Sequence, residues 1–182
     1  NTATAAAIED LRAEFPDKII IGIEPALKPA ADRFPTGRIG IMATAVTLRE
    51  EKLTHLSEQF PRAEVVRIAA PGLVELIESG KADSAETAAL LEKILAPYRG
   101  KLDALVLGCT HYPFAAKAIR RILGEKTQII DGSSGTASQT RRRLEQEGLL
   151  FDGPGQIHME NSGADPRMLE LSMALLEEED EI

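Results

Sequence analysis

Cysteine is nearly absent from this sequence: its 182 residues hold one, Cys109. A single thiol excludes an internal disulfide framework and a clustered-cysteine zinc site, and it suits a reducing compartment. Excess basic charge is lacking too. The formal net charge is −8 and the sequence pI is about 5.0, which argues against nucleic acid or an anionic membrane surface as partner. No apolar run approaches the roughly 20 residues of a membrane-spanning helix, and no secretory signal pattern is visible. Tandem repeats are missing, and the one biased stretch is the acidic tail over 177–181, which reads as a solvated terminus. These absences lead to the expectation of a soluble, cytoplasmic protein. A chain of this length can bury an adequate core as one α/β domain or two small ones.

What is present is a regular alternation of strand and helix patterns. Short apolar runs predict strands over 18–23, 38–43, 63–68, 103–107, 127–131 and 156–160. Helical spacing is found over 5–14, with Ile8 and Leu11 inward, and from about Thr47, with Leu53, Leu56 and Phe60 on one face. A short helix holds Leu73, Leu76 and Ile77, with Gly80 at its end. Asp83 and Glu86 resemble a capping box opening a helix that packs Ala88, Leu91, Leu95 and Tyr98. Further helices are expected over 113–123, over about 137–147 and from Pro166, with the glycine- and serine-rich stretch to Gly135 as a loop. Glu24-Pro25 and Lys28-Pro29 read as a linker. The alternation implies a mostly parallel α/β sheet with helices on its faces.

Chemistry concentrates in Asp103–Phe114, D-A-L-V-L-G-C-T-H-Y-P-F. Leu105-Val106-Leu107 fits a strand buried on both faces, Gly108 permits a tight turn, and Pro113 suits the first turn of a helix. Cys109, Thr110 and His111 therefore sit where a strand's carboxyl end meets a helix amino end, the place where open α/β sheets bind ligands. A thiol there feels the positive end of the helix and has an acid–base partner two residues away. Burial as an inert core cysteine is the competing reading. Thr110 offers a hydroxyl and a backbone N–H suited to a carboxylate, or serves as an N-cap. Thr44 and Thr47 also come after a strand, with helix capping as the alternative for Thr47. Asp131 to Gly135 lacks the lysine of a phosphate-binding loop, and Arg141-Arg142-Arg143 reads as a solvated helix face. His55 and His158 have no such context and read as surface or packing residues.

The string L-V-L-G-C-T-H-Y-P-F resembles the second cysteine motif of glutamate racemases, within the aspartate/glutamate racemase superfamily. The opening N-T-A-T-A resembles the residues directly after their first catalytic cysteine, and the interval between the two motifs matches. So do Ile41-Met42-Ala43-Thr44 with Thr47, the Leu73–Gly80 segment with Glu78, and Ile130-Asp131-Gly132-Ser133. The resemblance implies two similar parallel-sheet α/β domains facing each other across a substrate cleft. It maps 1–24 and 133–182 to the first domain, incomplete here, and 25–132 to the second. The family's first cysteine is expected immediately before Asn1, and the upstream Asp-Ser pair is likewise outside the sequence.

The same resemblance implies cofactor-independent, metal-free interconversion of L- and D-glutamate for peptidoglycan biosynthesis, with two bases acting on opposite faces of the α-carbon. It assigns catalytic roles to Cys109, His111 and Glu78, and substrate contacts to Asn1, Thr2, Thr44, Thr47, Thr110 and His111. On residues alone, Glu78 is equally an exposed helix glutamate, and Asn1 and Thr2 an ordinary terminus. A small-molecule substrate, no nucleic acid, no membrane and a homodimer complete what is implied. Alternatives are an aspartate or hydantoin racemase, a non-catalytic ligand-binding fragment, and a cysteine hydrolase built on Cys109 and His111, for which no third orienting residue is apparent. With one thiol, the 182 residues by themselves are expected to be inactive as a racemase.

Overall fold

A computed structural model describes residues 2–49, 51–163 and 165–177. Four short apolar runs pair into one parallel sheet: β1 (Arg38–Ala43), β2 (Glu64–Ala69), β3 (Ala104–Leu107) and β4 (Gln128–Ile130), in the order β2-β1-β3-β4. The two central strands are the most apolar because both of their faces are covered. β3 is buried at all four positions, and β1 at every position after Arg38.

Alternate side chains of the central strands feed two separate cores, as the two-residue period of a strand requires. Met42, Leu105 and Leu107 face one side, where they pack with Leu73 and Ile77 of α5 (Leu73–Glu78), Leu91 and Leu95 of α6 (Ala85–Leu95) and Ile119 of α7 (Ala116–Leu123). Ile39, Ile41 and Val106 face the other side. They meet Leu27 and Ala30 of α2 (Leu27–Arg33), Leu48 of α3 (Ala45–Arg49) and Leu53 of α4 (Glu51–Glu58). Each fully buried Leu or Ile in these layers contributes about 1.5–3 kcal/mol relative to leaving it in water.

The connections decide where a ligand can enter. From β1 the chain passes through α3 and α4 on one face and arrives at β2; from β3 it passes through α7 on the other face and arrives at β4. Adjacent parallel strands whose outgoing connections part to opposite faces leave a crevice beyond their carboxyl ends. Thr44 succeeds β1 there, and Gly108-Cys109 succeeds β3.

Outside the sheet, α1 (Thr2–Glu14) lies against the extended segment 18–24, α8 (Ser133–Gln146) comes after β4, and α9 (Arg167–Glu177) comes last. The runs 18–23 and 156–160, expected as strands, are not strands: among the described residues neither has a ladder partner, without which an extended run has no backbone pairing. The first is held instead by side chains, with Ile23 N–H donating to Thr4 Oγ1 (3.1 Å) and Arg12 Nη2 to the carbonyl of Ile20 (3.2 Å). The stretch expected to loop to Gly135 is already helical from Ser133, because Asp131 Oδ1 accepts the Ser133 N–H (2.9 Å) and satisfies a first-turn donor.

The cap of α6 is Ser84, whose Oγ accepts from Thr87 N–H, while Glu86 pairs with Lys81. Leu11, expected inward, is 40% exposed; Ile8 is buried. Arg141 and Arg143 do sit on a solvated face, paired with Glu145 and Glu147. The acidic tail from 178 onward lies outside the described residues.

Gly132 shows how closely the chain's two crossings approach. A Cβ there would meet the carbonyl oxygen of Glu24 at 2.9 Å and Ile23 Cγ1 at 3.0 Å, while at Gly135 nothing lies within 4 Å. Alanine at these two positions, three residues apart, should therefore act with opposite sign. Gly132→Ala is expected to destabilise by about 1–3 kcal/mol, because backbone must shift. Gly135→Ala, inside α8, should stabilise by about 0.5–1 kcal/mol. Urea unfolding of both variants checks the pair.

Candidate functional site

The turn after β3 is built by Gly108. Its N–H donates to the carbonyl of Met42 (2.8 Å), extending the β1–β3 ladder by one bond, and a Cβ would sit 3.0 Å from Ala43 Cβ. Glycine thus lets the turn close against the end of β1. The chain then enters a 3₁₀ turn, Tyr112–Ala115, with Tyr112 N–H bonded to the carbonyl of Cys109 (3.1 Å) and Pro113 near its start. α7 continues directly from it.

This turn presents Cys109 half-buried with its thiol toward His111: Sγ lies 3.7 Å from Nδ1. The other ring nitrogen, Nε2, lies 3.0 Å from Oε1 of Glu78, the last residue of α5. What each group can donate or accept fixes the proton positions. An ionised carboxylate only accepts, so Nε2 carries the hydrogen. In the neutral ring Nδ1 is then an acceptor, and it faces the thiol. A proton can move from Sγ to Nδ1 while Glu78 stabilises the resulting imidazolium.

The His111 and Glu78 side chains are 34% and 48% exposed, so this contact adds little to stability, and its effect is on ring orientation and tautomer. Glu78 is also the third, orienting group that is not apparent in the sequence. Contact across 33 residues leaves no local spacing to detect.

Thr44 and Thr47 both follow β1 and divide their tasks. Thr44 Oγ1 accepts the Thr47 N–H (3.3 Å) and so caps α3, and the two hydroxyls are 3.1 Å apart. Thr47 is 2% exposed, and Thr44 is the more accessible of the two. Capping therefore falls to Thr44, where the sequence suggests Thr47. Thr110 is exposed and lines a cleft of about 1140 Å³ together with Pro113, Phe114, Asp131 and Ser133. The cleft runs from this turn toward α1 and α8; Cys109 lies beside its Thr110 end and not in its lining. Asn1 lies outside the described residues, and of Thr2 only the helical backbone is described. His55 and His158 lie on the surface, paired with Glu58 and Glu160. No group of three or more His, Cys, Asp or Glu side chains suited to a metal ion occurs among the described residues, nor does a helix long and apolar enough to cross a membrane.

The family model for Asp/Glu/hydantoin racemases matches residues 1–140. The glutamate racemase of Clostridium perfringens (strain SM101 / Type A) is 45% identical over 181 residues, an alignment covering 97% of this chain and 70% of that enzyme. Among solved structures, Escherichia coli glutamate racemase in complex with L-glutamate and the activator UDP-MurNAc-ala superposes with a TM-score of 0.65 at 28% identity. That match covers 73% of this chain and 53% of the E. coli one. Thermus thermophilus glutamate racemase in complex with beta-chloro-D-alanine gives a TM-score of 0.62 at 29% identity, over 84% of this chain and 56% of that one.

The thiol's surroundings predict its reactivity. Cys109 should be alkylated by iodoacetamide near pH 7 several-fold faster than free cysteine, and His111→Ala should remove the advantage. Mass-spectrometric rates on the folded protein decide it; a thiol slower than free cysteine would contradict the assignment of His111 as its proton acceptor.

Proposed function

Because the chain belongs to the Asp/Glu/hydantoin racemase family, we propose that it interconverts L- and D-glutamate by proton transfer at the α-carbon, without a cofactor. The observation that carries this reading is the line Cys109–His111–Glu78 at the carboxyl end of β3. A thiol whose proton can pass to a carboxylate-oriented imidazole is suited to take a proton from carbon and return it. Cys109 serves one face of the substrate, and a second acid–base group serves the other. Thr110 and Thr44 are suited to receive the substrate's carboxylates, with Thr47 holding Thr44 in place. The 45% identity to a glutamate racemase supports glutamate over aspartate or a hydantoin.

In this reading 25–132 forms one domain, and 1–24 with 133–182 belongs to the other. The four strands lie between 38 and 130, and the crossings touch where Gly132 meets Glu24, which supports that division. A cytoplasmic location and a role in supplying D-glutamate to peptidoglycan come with the family resemblance, as does a homodimer. A second reading, thiol-dependent hydrolysis, is favoured by one observation: Glu78 orients His111 as a third residue orients the base of a hydrolytic triad. Steady turnover of p-nitrophenyl acetate, beyond one equivalent per thiol, would mark it.

Racemisation is measured by circular dichroism of L-glutamate incubated with the gene product that carries this chain. Cys109→Ser should lower turnover by at least about 100-fold while still permitting solvent exchange of the α-proton of one enantiomer. The 182 residues alone, with one thiol, should not invert glutamate; turnover by them would overturn the two-base assignment.

A further inference from the structure

Glu78 reaches His111 only because α5 is held in one place, and the His111–Glu78 contact is too exposed to hold it. α5 is six residues long, about 9 Å at 1.5 Å per residue, and short helices are not stable by themselves. At its far end, Tyr112 is fully buried among the side chains of α5, α6 and α7. Its hydroxyl donates to the carbonyl oxygen of Ala70 at 3.3 Å, three residues before α5 begins. Ala70 is itself buried, and its N–H bonds to the carbonyl of Ala43, so the acceptor is fixed to the sheet. Tyr112 is the covalent neighbour of His111. A closed circuit results: His111 to Tyr112 along the chain, Tyr112 to Ala70 by the hydroxyl, Ala70 to Glu78 along α5, and Glu78 back to His111.

We propose that Tyr112 is a positioning residue, whose buried hydroxyl fixes the start of α5 to the catalytic turn and thereby sets Glu78 against His111. The inference rests on reading Cys109–His111–Glu78 as the working group. Burial, with smaller effects from Cys109 and Glu75, pushes the phenol well above its ordinary ionisation range, so the hydroxyl remains a donor at every pH where the thiol works. Phenylalanine in the same place would fill the same volume and leave the core, but not the tether.

The test is a double-mutant cycle read by alkylation of Cys109 with iodoacetamide between pH 6 and pH 9, which needs no glutamate and no turnover. Glu78→Gln is expected to slow alkylation near pH 7 by about tenfold, less than the roughly 100-fold of a group misplaced by about 1 Å. Tyr112→Phe should slow it by a comparable factor and change the pH–rate profile in the same sense. The double variant should be no slower than the slower single one, because both act through one contact. The His111 ring resonances in NMR should shift in Tyr112→Phe toward those of Glu78→Gln. A Tyr112→Phe protein with the wild-type pH–rate profile, or with an effect that multiplies that of Glu78→Gln, would overturn the proposal and leave Tyr112 as core packing, whatever its melting temperature. If Glu78→Gln itself leaves the profile unchanged, the three-residue reading fails instead.

Discussion

The constraint on which the rest depends is that β1 and β3 lie side by side, parallel, and send the chain to opposite faces of the sheet. Parallel strands require long crossovers, and the helices of those crossovers cover both faces. Between strands whose crossovers diverge, no helix closes the carboxyl end. The turn after β1 and the turn after β3 therefore face a common opening. The groups of the proposed site come from those two turns, with Glu78 added from the end of α5. Gly108 is the local expression of the same constraint, since any side chain there would hold the thiol-bearing turn away from β1.

Within that frame, the groups that fix the turn differ from those of the proposed site. Leu105, Leu107, Ile119 and Tyr112 are buried and set where the turn lies. Cys109, His111 and Glu78, the groups of the proposed site, are partly exposed. A fully buried thiol could not meet a substrate, and a fully exposed one would share its proton with water. Half-burial beside an imidazole is the compromise, and a carboxylate on the far ring nitrogen removes the tautomer that would turn an N–H toward the thiol. An exposed ion pair of this kind adds little to folding free energy, yet it decides which nitrogen accepts the proton.

How much of this is legible in the sequence depends on whether the determining contacts are local. Leu105-Val106-Leu107 with Gly108 and Pro113 places the thiol without any tertiary information, because strand, turn and helix start are each written in adjacent residues. The central strands are readable for the same reason. The runs at 18–23 and 156–160 carry a comparable apolar pattern, but a strand also needs a neighbour to bond with, and a run cannot report its neighbour. Asp83 and Ser84 are both good caps one residue apart, and only the packing of Thr87 against Ser84 selects between them. Glu78 and His111 are brought together by α5 and the sheet, not by spacing. The family resemblance names both residues; their contact becomes visible only in three dimensions.

The two hydrophobic cores show why the turn can be so well defined. Every buried residue in them falls between Ala26 and Leu123, so the segment that carries the sheet supplies its own interior. α1, α8 and the extended segment 18–24 lie outside it and touch one another, Thr4 with Ile23 and Gly132 with Glu24. The position of Cys109 is consequently a property of one self-sufficient core. Altered packing among the surrounding helices can reach the thiol through the two crossings at 24–25 and 131–133, through the walls of the cleft beside Thr110, or through the end of α5, where Leu171 of α9 lies near Gly80. The proposed proton-transfer site is thereby held by one core, as is required of a group that must act on one carbon from a fixed side.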